Sequence, residues 1–271
     1  LKEYAPDFAV FARALQLKGC DSLPTTPAAV AELAAQVAAD PFGVRATICV
    51  PLGNNPEKNA GMRALGARLV EEGRDYDESV QVAERIRGEE GATLAHSTNN
   101  RQILSGAGTL SLEFLEQAPE VDALVIAVGG GSQAVGAITA AAAVRPAVQV
   151  FAVQAAGAAA SHAAWHARRP MTTPSADTFA DGLATRSSYA MPLPILLQGL
   201  ADFITVSDAE IADAMRLLLR TTHTLVEAAG AAGLAGLRKL APQLAGRRVG
   251  IVLSGANVDA HTLRRVLSGE L

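Results

Sequence analysis

Short runs dense in Val and Ile alternate along this chain with longer Ala-rich stretches, the pattern of strands interleaved with helices in an α/β domain. Strands are expected at 46–50, 123–128, 148–153 and 249–253, each bounded by Gly, Pro, Ser or Gln. The spacing of apolar positions between them predicts helices over 28–39, 58–66, 76–88, 110–117, 133–144, 208–228 and 232–240. Ser207 followed by Glu210 reads as a capping box that starts the helix at Asp208. The segment 168–198 contains Pro170, Pro174, Pro192 and Pro194 and reads as a long surface connection. Sheets of this class hold ligands at the carboxyl ends of their strands. Chemistry is therefore sought just after Val128, Val153 and Leu253.

Composition narrows the classes. With 271 residues, 49% apolar and 18% charged, the chain can bury one large core or two modest ones. A net charge of −4 leaves no basic surplus for phosphates, so nucleic acid is not an expected partner. The longest uncharged stretch, 123–144, is interrupted by Gly129, Gly130 and Gly131, so it reads as strand, turn and helix and no membrane span is expected. Cys20 and Cys49 are too few for a disulfide framework and suit a reducing cytoplasm. Lys2, Lys18, Lys58 and Lys239 are the only lysines, a short list for any lysine chemistry. The opening Leu1 suggests that residues once preceded it.

The sharpest motif is the strand 123–128 followed by Gly129, Gly130, Gly131, Ser132 and Gln133, and then a helix. Three glycines in a row leave no Cβ atoms in the way, so successive N–H groups can share one concavity with the positive end of the helix behind. A phosphate is the natural occupant. Two other readings of the segment are open. Gly129, Gly131 and Ala134 meet a loose dinucleotide pattern, but the next strand ends at Val153-Gln154 without an acid for a ribose. Gly130, Ser132 and Ala134 resemble a nucleophile elbow, with Asp181 and His223 downstream. A second motif, Ser254-Gly255-Ala256-Asn257, closes a buried strand with a hydroxyl that could bond a ring nitrogen.

Taken in order, Pro56-Glu57-Lys58, Ser105-Gly106-Ala107-Gly108-Thr109 with Glu113, the glycine loop, Thr178-Phe179-Ala180-Asp181-Gly182, Val206-Ser207-Asp208, Glu227-Ala228-Ala229-Gly230 and Ser254-Gly255-Ala256-Asn257 resemble the fold type II pyridoxal-phosphate enzymes. Within these the chain is most similar to the threonine dehydratase, serine racemase and diaminopropionate ammonia-lyase group. The resemblance implies an α/β fold of two open twisted parallel-sheet lobes with flanking helices and the cofactor, pyridoxal 5'-phosphate, in the cleft between them. It implies a small lobe at 22–98 and a large cofactor-binding lobe made of 1–21 plus 99–271. The cofactor phosphate would lie on Gly129, Gly130, Gly131, Ser132 and Gln133, and Ser254 would bond the pyridine nitrogen. The implied activity is α,β-elimination on a small β-substituted amino acid, with threonine or serine foremost, giving a 2-oxo acid and ammonia. A cytoplasmic homodimer is expected, as for related short forms, with no regulatory domain after Leu271.

Departures from the family matter equally. The family's cofactor-bound lysine follows a Ser-Phe or Ala-Phe pair, and here the lysine is missing at the junction Phe8/Ala9. Either a modified lysine is absent from the sequence there, or alignment on Phe11-Ala12 makes the position a true Ala and the chain a non-catalytic ligand-binding protein. The catalytic residue is thus unknown. The substrate-carboxylate loop would fall at Ser22–Pro27, which lacks the family's Gly-Asn. Gln154 stands where some relatives place a metal-binding Glu, so no metal is expected. An amino-acid racemase of the same fold remains the alternative activity.

Overall fold

The computed structural model describes residues 45–271, which fall into two compact units, 45–97 and 98–271. The Phe8/Ala9 junction, the Ser22–Pro27 loop, Cys20, Lys2, Lys18 and the helix expected at 28–39 lie outside the described residues.

In the first unit, strand β1 (Thr47–Val50), helix α1 (Pro56–Ala64), strand β2 (Arg68–Glu71) and helix α2 (Tyr76–Glu90) follow one another. The two strands pair in parallel, with Thr47 opposite Arg68 and Val50 opposite Glu71. Ile48, Val50, Met62 and Ala67 make a small core. Strand β2 was not expected from the sequence: its four residues begin and end on exposed charges, so it has no apolar run to mark it.

The second unit carries helix α3 (Arg101–Gln117), strand β3 (Ala123–Ala127), helix α4 (Ser132–Val144), strand β4 (Gln149–Ala155), helix α5 (Ala160–Ala167), helix α6 (Pro192–Gly199), strand β5 (Leu200–Val206), helix α7 (Asp208–Thr222), helix α8 (Ala228–Leu240), strand β6 (Val249–Ile251) and helix α9 (Ala260–Ser268). The sheet runs in the order β5-β4-β3-β6, parallel throughout. Because side chains alternate along a strand, Ala123 and Val125 pack into one core with Ile211, Met215 and Ala232, while Leu124 and Ile126 pack into the other with Val135, Ile138 and Leu196. Both faces of the sheet are thus covered by helices, the condition for an all-parallel sheet.

Three expectations need correction. The long connection at 168–198 is not loop throughout, since residues 192–199 form α6. Pro192 sits at its first turn, where a missing N–H costs nothing, and Leu193 and Leu196 are buried. The helix expected to run from 208 to 228 ends at Thr222, because His223 adopts a left-handed conformation (φ 54°) and a fresh helix starts at Ala228. Helix α3 begins at Arg101 rather than 110, capped by the Asn100 side chain on the N–H groups of Gln102 and Ile103. The Ser207–Glu210 capping box forms as expected.

Close helix packing depends on glycine at one seam. A methyl on Gly136 of α4 would come within 2.7 Å of the Gly108 Cα in α3.

Candidate active site

The site is built at the carboxyl ends of β3, β4 and β6. Strand β3 is entirely buried up to Ile126, and Val128 extends its ladder by donating to the Val153 carbonyl (2.8 Å). The chain then turns through Gly129, Gly130 and Gly131 into α4, and each glycine is required for its own reason. A Cβ on Gly129 would lie 2.8 Å from the Gly182 carbonyl oxygen, and one on Gly130 would strike the buried Thr98 hydroxyl. Gly131 holds φ at 104°, in the left-handed region.

Helix α4 is open at its start. Gly131 offers it no side-chain cap, and there is no acidic residue in the first turn. Among the described residues, the N–H groups of Gly129, Gly130, Gly131, Ser132, Gln133 and Ala134 donate to no backbone or side-chain acceptor. The first donor of α4 with a partner is Val135, to the Gly131 carbonyl (3.0 Å). Gln133 is 8% exposed, and its Nε2 likewise has no hydrogen-bond partner. A buried amide nitrogen and a row of backbone donors at the positive end of a helix suit an anion with several acceptor oxygens. The phosphate of a cofactor meets that description, so the residues present fit it.

The walls of this cradle are held from several directions. Gln154, fully buried at the end of β4, donates from Nε2 to the Gly129 carbonyl oxygen (3.3 Å), and Ser161 Oγ donates to the same oxygen (3.0 Å). The Gln154 Oε1 accepts from the His162 backbone N–H (2.9 Å). Burial, with His166 adding to it, holds the His162 imidazole below its usual range, against a weaker opposing pull from Asp202. The Thr178–Gly182 stretch lies against Gly129 and is itself pinned by Asp208, which accepts from Thr178 Oγ1 (2.5 Å) and from the Phe179 N–H (3.1 Å). A small recess beside Gly130 is lined by Ser161, Ser188, Tyr189 and Pro192.

Ser254 lies three residues past Ile251 on β6, as Val128 lies three past Val125, its register partner on β3. Its segment is seated on the start of α8. The Glu227 N–H donates to the Gly255 carbonyl (2.9 Å), and Gly230 leaves room for the Ser254 backbone. A Cβ on Gly255 would stand 2.6 Å from Glu227 Oε1. Ser254 is half-buried, and its hydroxyl can both donate and accept a hydrogen bond.

The glycine loop and the Ser254 turn therefore end neighbouring strands of one sheet. His223, considered for a nucleophilic triad, is an exposed residue that terminates α7. Gln154 and Ser161 were missed as loop supports. A buried Gln at a strand end was the available signal, but its partner on the glycine loop is 25 residues away in sequence.

Residues 31–255 match the family described as pyridoxal-phosphate dependent enzyme, and the chain belongs to that family. The L-threonine ammonia-lyase of Thermotoga maritima is 33% identical over 237 residues, covering 87% of this chain and 58% of that enzyme. A serine racemase of Oryza sativa is 32% identical over 235 residues, covering 85% of this chain and 69% of the racemase. The solved structure of maize serine racemase superposes with a TM-score of 0.79 at 30% identity, over 89% of this chain and 74% of that one. The chain thus spans little more than half the length of the ammonia-lyase. The parallel α/β architecture is that of fold type II, as the sequence motifs imply.

Proposed function

We propose that this chain is part of a pyridoxal-phosphate ammonia-lyase that carries out α,β-elimination on a small β-hydroxy amino acid, threonine or serine, releasing a 2-oxo acid and ammonia. The carrying observation is the glycine cradle at the end of β3, with its open row of N–H donors, next to the strand that leads to Ser254. The similarity to threonine ammonia-lyases supports the reaction class.

When bound, the cofactor supplies an electron sink that lets the α-proton and the β-substituent leave. The chain's own residues supply placement. The N–H groups of Gly129–Gln133 and the Ser132 hydroxyl would hold the phosphate, and the α4 terminus would favour its charge. The Ser254 hydroxyl would face the ring nitrogen as a neutral partner, which would suit elimination better than transamination. The family's lysine would fall at the Phe8/Ala9 junction, where the sequence has none, so the group that would move the α-proton is unassigned. A cytoplasmic homodimer completes the reading, and light scattering of the purified protein tests its dimeric part.

The deciding experiment supplies pyridoxal 5'-phosphate to the purified chain and assays L-threonine and L-serine for 2-oxo acid and ammonia. Stoichiometric release of both products is expected. D-serine appearing from L-serine without oxo acid would replace elimination by racemisation. Cofactor uptake with neither product would make the chain a binding protein.

A further inference from the structure

We propose that Gln154 is a positioning residue for the cofactor phosphate, aiming the glycine loop by gripping the Gly129 carbonyl. This rests on the reading that the loop takes a phosphate. A trans peptide points its carbonyl and the following N–H in opposite directions. Whatever fixes the Gly129 oxygen therefore fixes the Gly130 N–H, one of the donors of the cradle. Two side chains fix it: Gln154 through Nε2 (3.3 Å) and Ser161 through Oγ (3.0 Å).

Only an amide in one orientation satisfies both neighbours of Gln154. Its Oε1 must face the His162 N–H, a donor at 2.9 Å, so its Nε2 must face the Gly129 carbonyl, an acceptor. A carboxylate at 154 could still accept from His162, but its second oxygen would oppose the Gly129 oxygen and place a negative charge beneath a phosphate site. The position is fully buried, so water cannot screen that charge. A protonated carboxyl would restore the donor. The side chain that stands at the end of β4 is thus matched to the loop beside it, and acts on the cofactor through the Gly129 peptide.

The test compares pyridoxal 5'-phosphate with pyridoxal, which lacks the phosphate. Trp165 is the chain's only tryptophan and shares α5 with Ser161, so quenching of its emission reports cofactor uptake without any assay of turnover. Gln154→Leu is expected to weaken pyridoxal 5'-phosphate by about tenfold and pyridoxal hardly at all. Gln154→Glu should bind pyridoxal 5'-phosphate progressively less well as pH rises from about 6 to 9 and recover toward wild type at the acidic end, beyond any trend in the wild type. Ser161→Ala, which keeps the Gln154 contact, should give a smaller loss of the same selectivity and serves where the Gln154→Leu protein fails to fold. Equal weakening of both ligands, unchanged affinity, or a Gln154→Glu profile parallel to wild type would overturn the inference alone. A wild-type protein that takes up neither ligand would overturn the functional reading together with it.

Discussion

Two turns in this molecule share a plan and differ in outcome. Both lead from a parallel strand through a glycine-containing loop into a helix: β1 through Pro51–Asn55 into α1, and β3 through Gly129–Gly131 into α4. In the first, Asn55 accepts from the N–H groups of Glu57 and Lys58, and Pro56 has no N–H to satisfy. Glu57 supplies the negative charge that the helix start favours, and Gly53 faces open space. In the second, no side chain caps the helix, no acid stands in its first turn, and two of the glycines are walled by neighbours. The lesson is that a ligand-taking helix start is recognised by the donors it leaves unanswered, and its glycine content is a poorer guide.

The second turn is most vulnerable at Gly129. Replacing it by Ala drives a methyl against the Gly182 carbonyl, a backbone group that cannot rotate away. Unfolding by urea should show a loss of about 2–3 kcal/mol, and Trp165 quenching by the cofactor should disappear. Ser132→Asp would convert the second turn into a likeness of the first by adding an acid at the helix start. Without cofactor the protein should gain about 0.5 kcal/mol, while pyridoxal 5'-phosphate affinity should fall at least about tenfold, since the carboxylate would occupy the charge position of the phosphate.

Smaller effects belong to the self-capped turn. Asn55→Ala should cost about 1 kcal/mol, and Gly53→Ala a similar amount from its φ of 77° alone. Neither should change cofactor titration; a shift there would show that the two turns are not independent. The smallest expected effect is acid sensitivity. Burial, the leading cause in each, holds His96 in the first unit and His162 in the second below the usual imidazole range, against weaker opposing carboxylates. The folded state then binds fewer protons than the unfolded chain. Their contribution is present above the ordinary imidazole value of about 6.5 and is lost as pH falls below it, so the urea midpoint should decline gently from about pH 7 to 5.

Much of the second unit was legible because its central strands are unbroken apolar runs. Ala123–Ala127 has no polar residue, and in Gln149–Ala155 the apolar run Val150–Val153 is buried without interruption, the two glutamines standing at or near its ends. Strand β5 was harder, because Asp202 interrupts it and α6 leads directly into it. Helix α3 carries Gly106 and Gly108 in its interior, where intrinsic preference argues against helix, yet Gly108 is the point of contact with α4. At the site, the glycine loop could be read from three consecutive residues. The support from Gln154 and Ser161 could not, because hydrogen bonds to a main-chain oxygen leave no trace in the identity of the residue that owns it.

The seam between α3 and α4 has a consequence for how descendants of this chain can vary. The two glycines meet there unequally. A methyl at position 108 would find the nearest atom of Gly136 at 3.6 Å, an ordinary contact, whereas one at 136 would press to 2.7 Å on the opposing backbone. Drift can exchange Gly108 for Ala with little penalty, but any side chain at 136 must first push the helices apart. Since α4 begins with the cradle only four residues earlier, that displacement would shift the donors as well. Position 136, which needs to touch no ligand, should therefore resist change as firmly as the loop itself, and random mutagenesis selected for cofactor retention should return Gly there far more often than at 108.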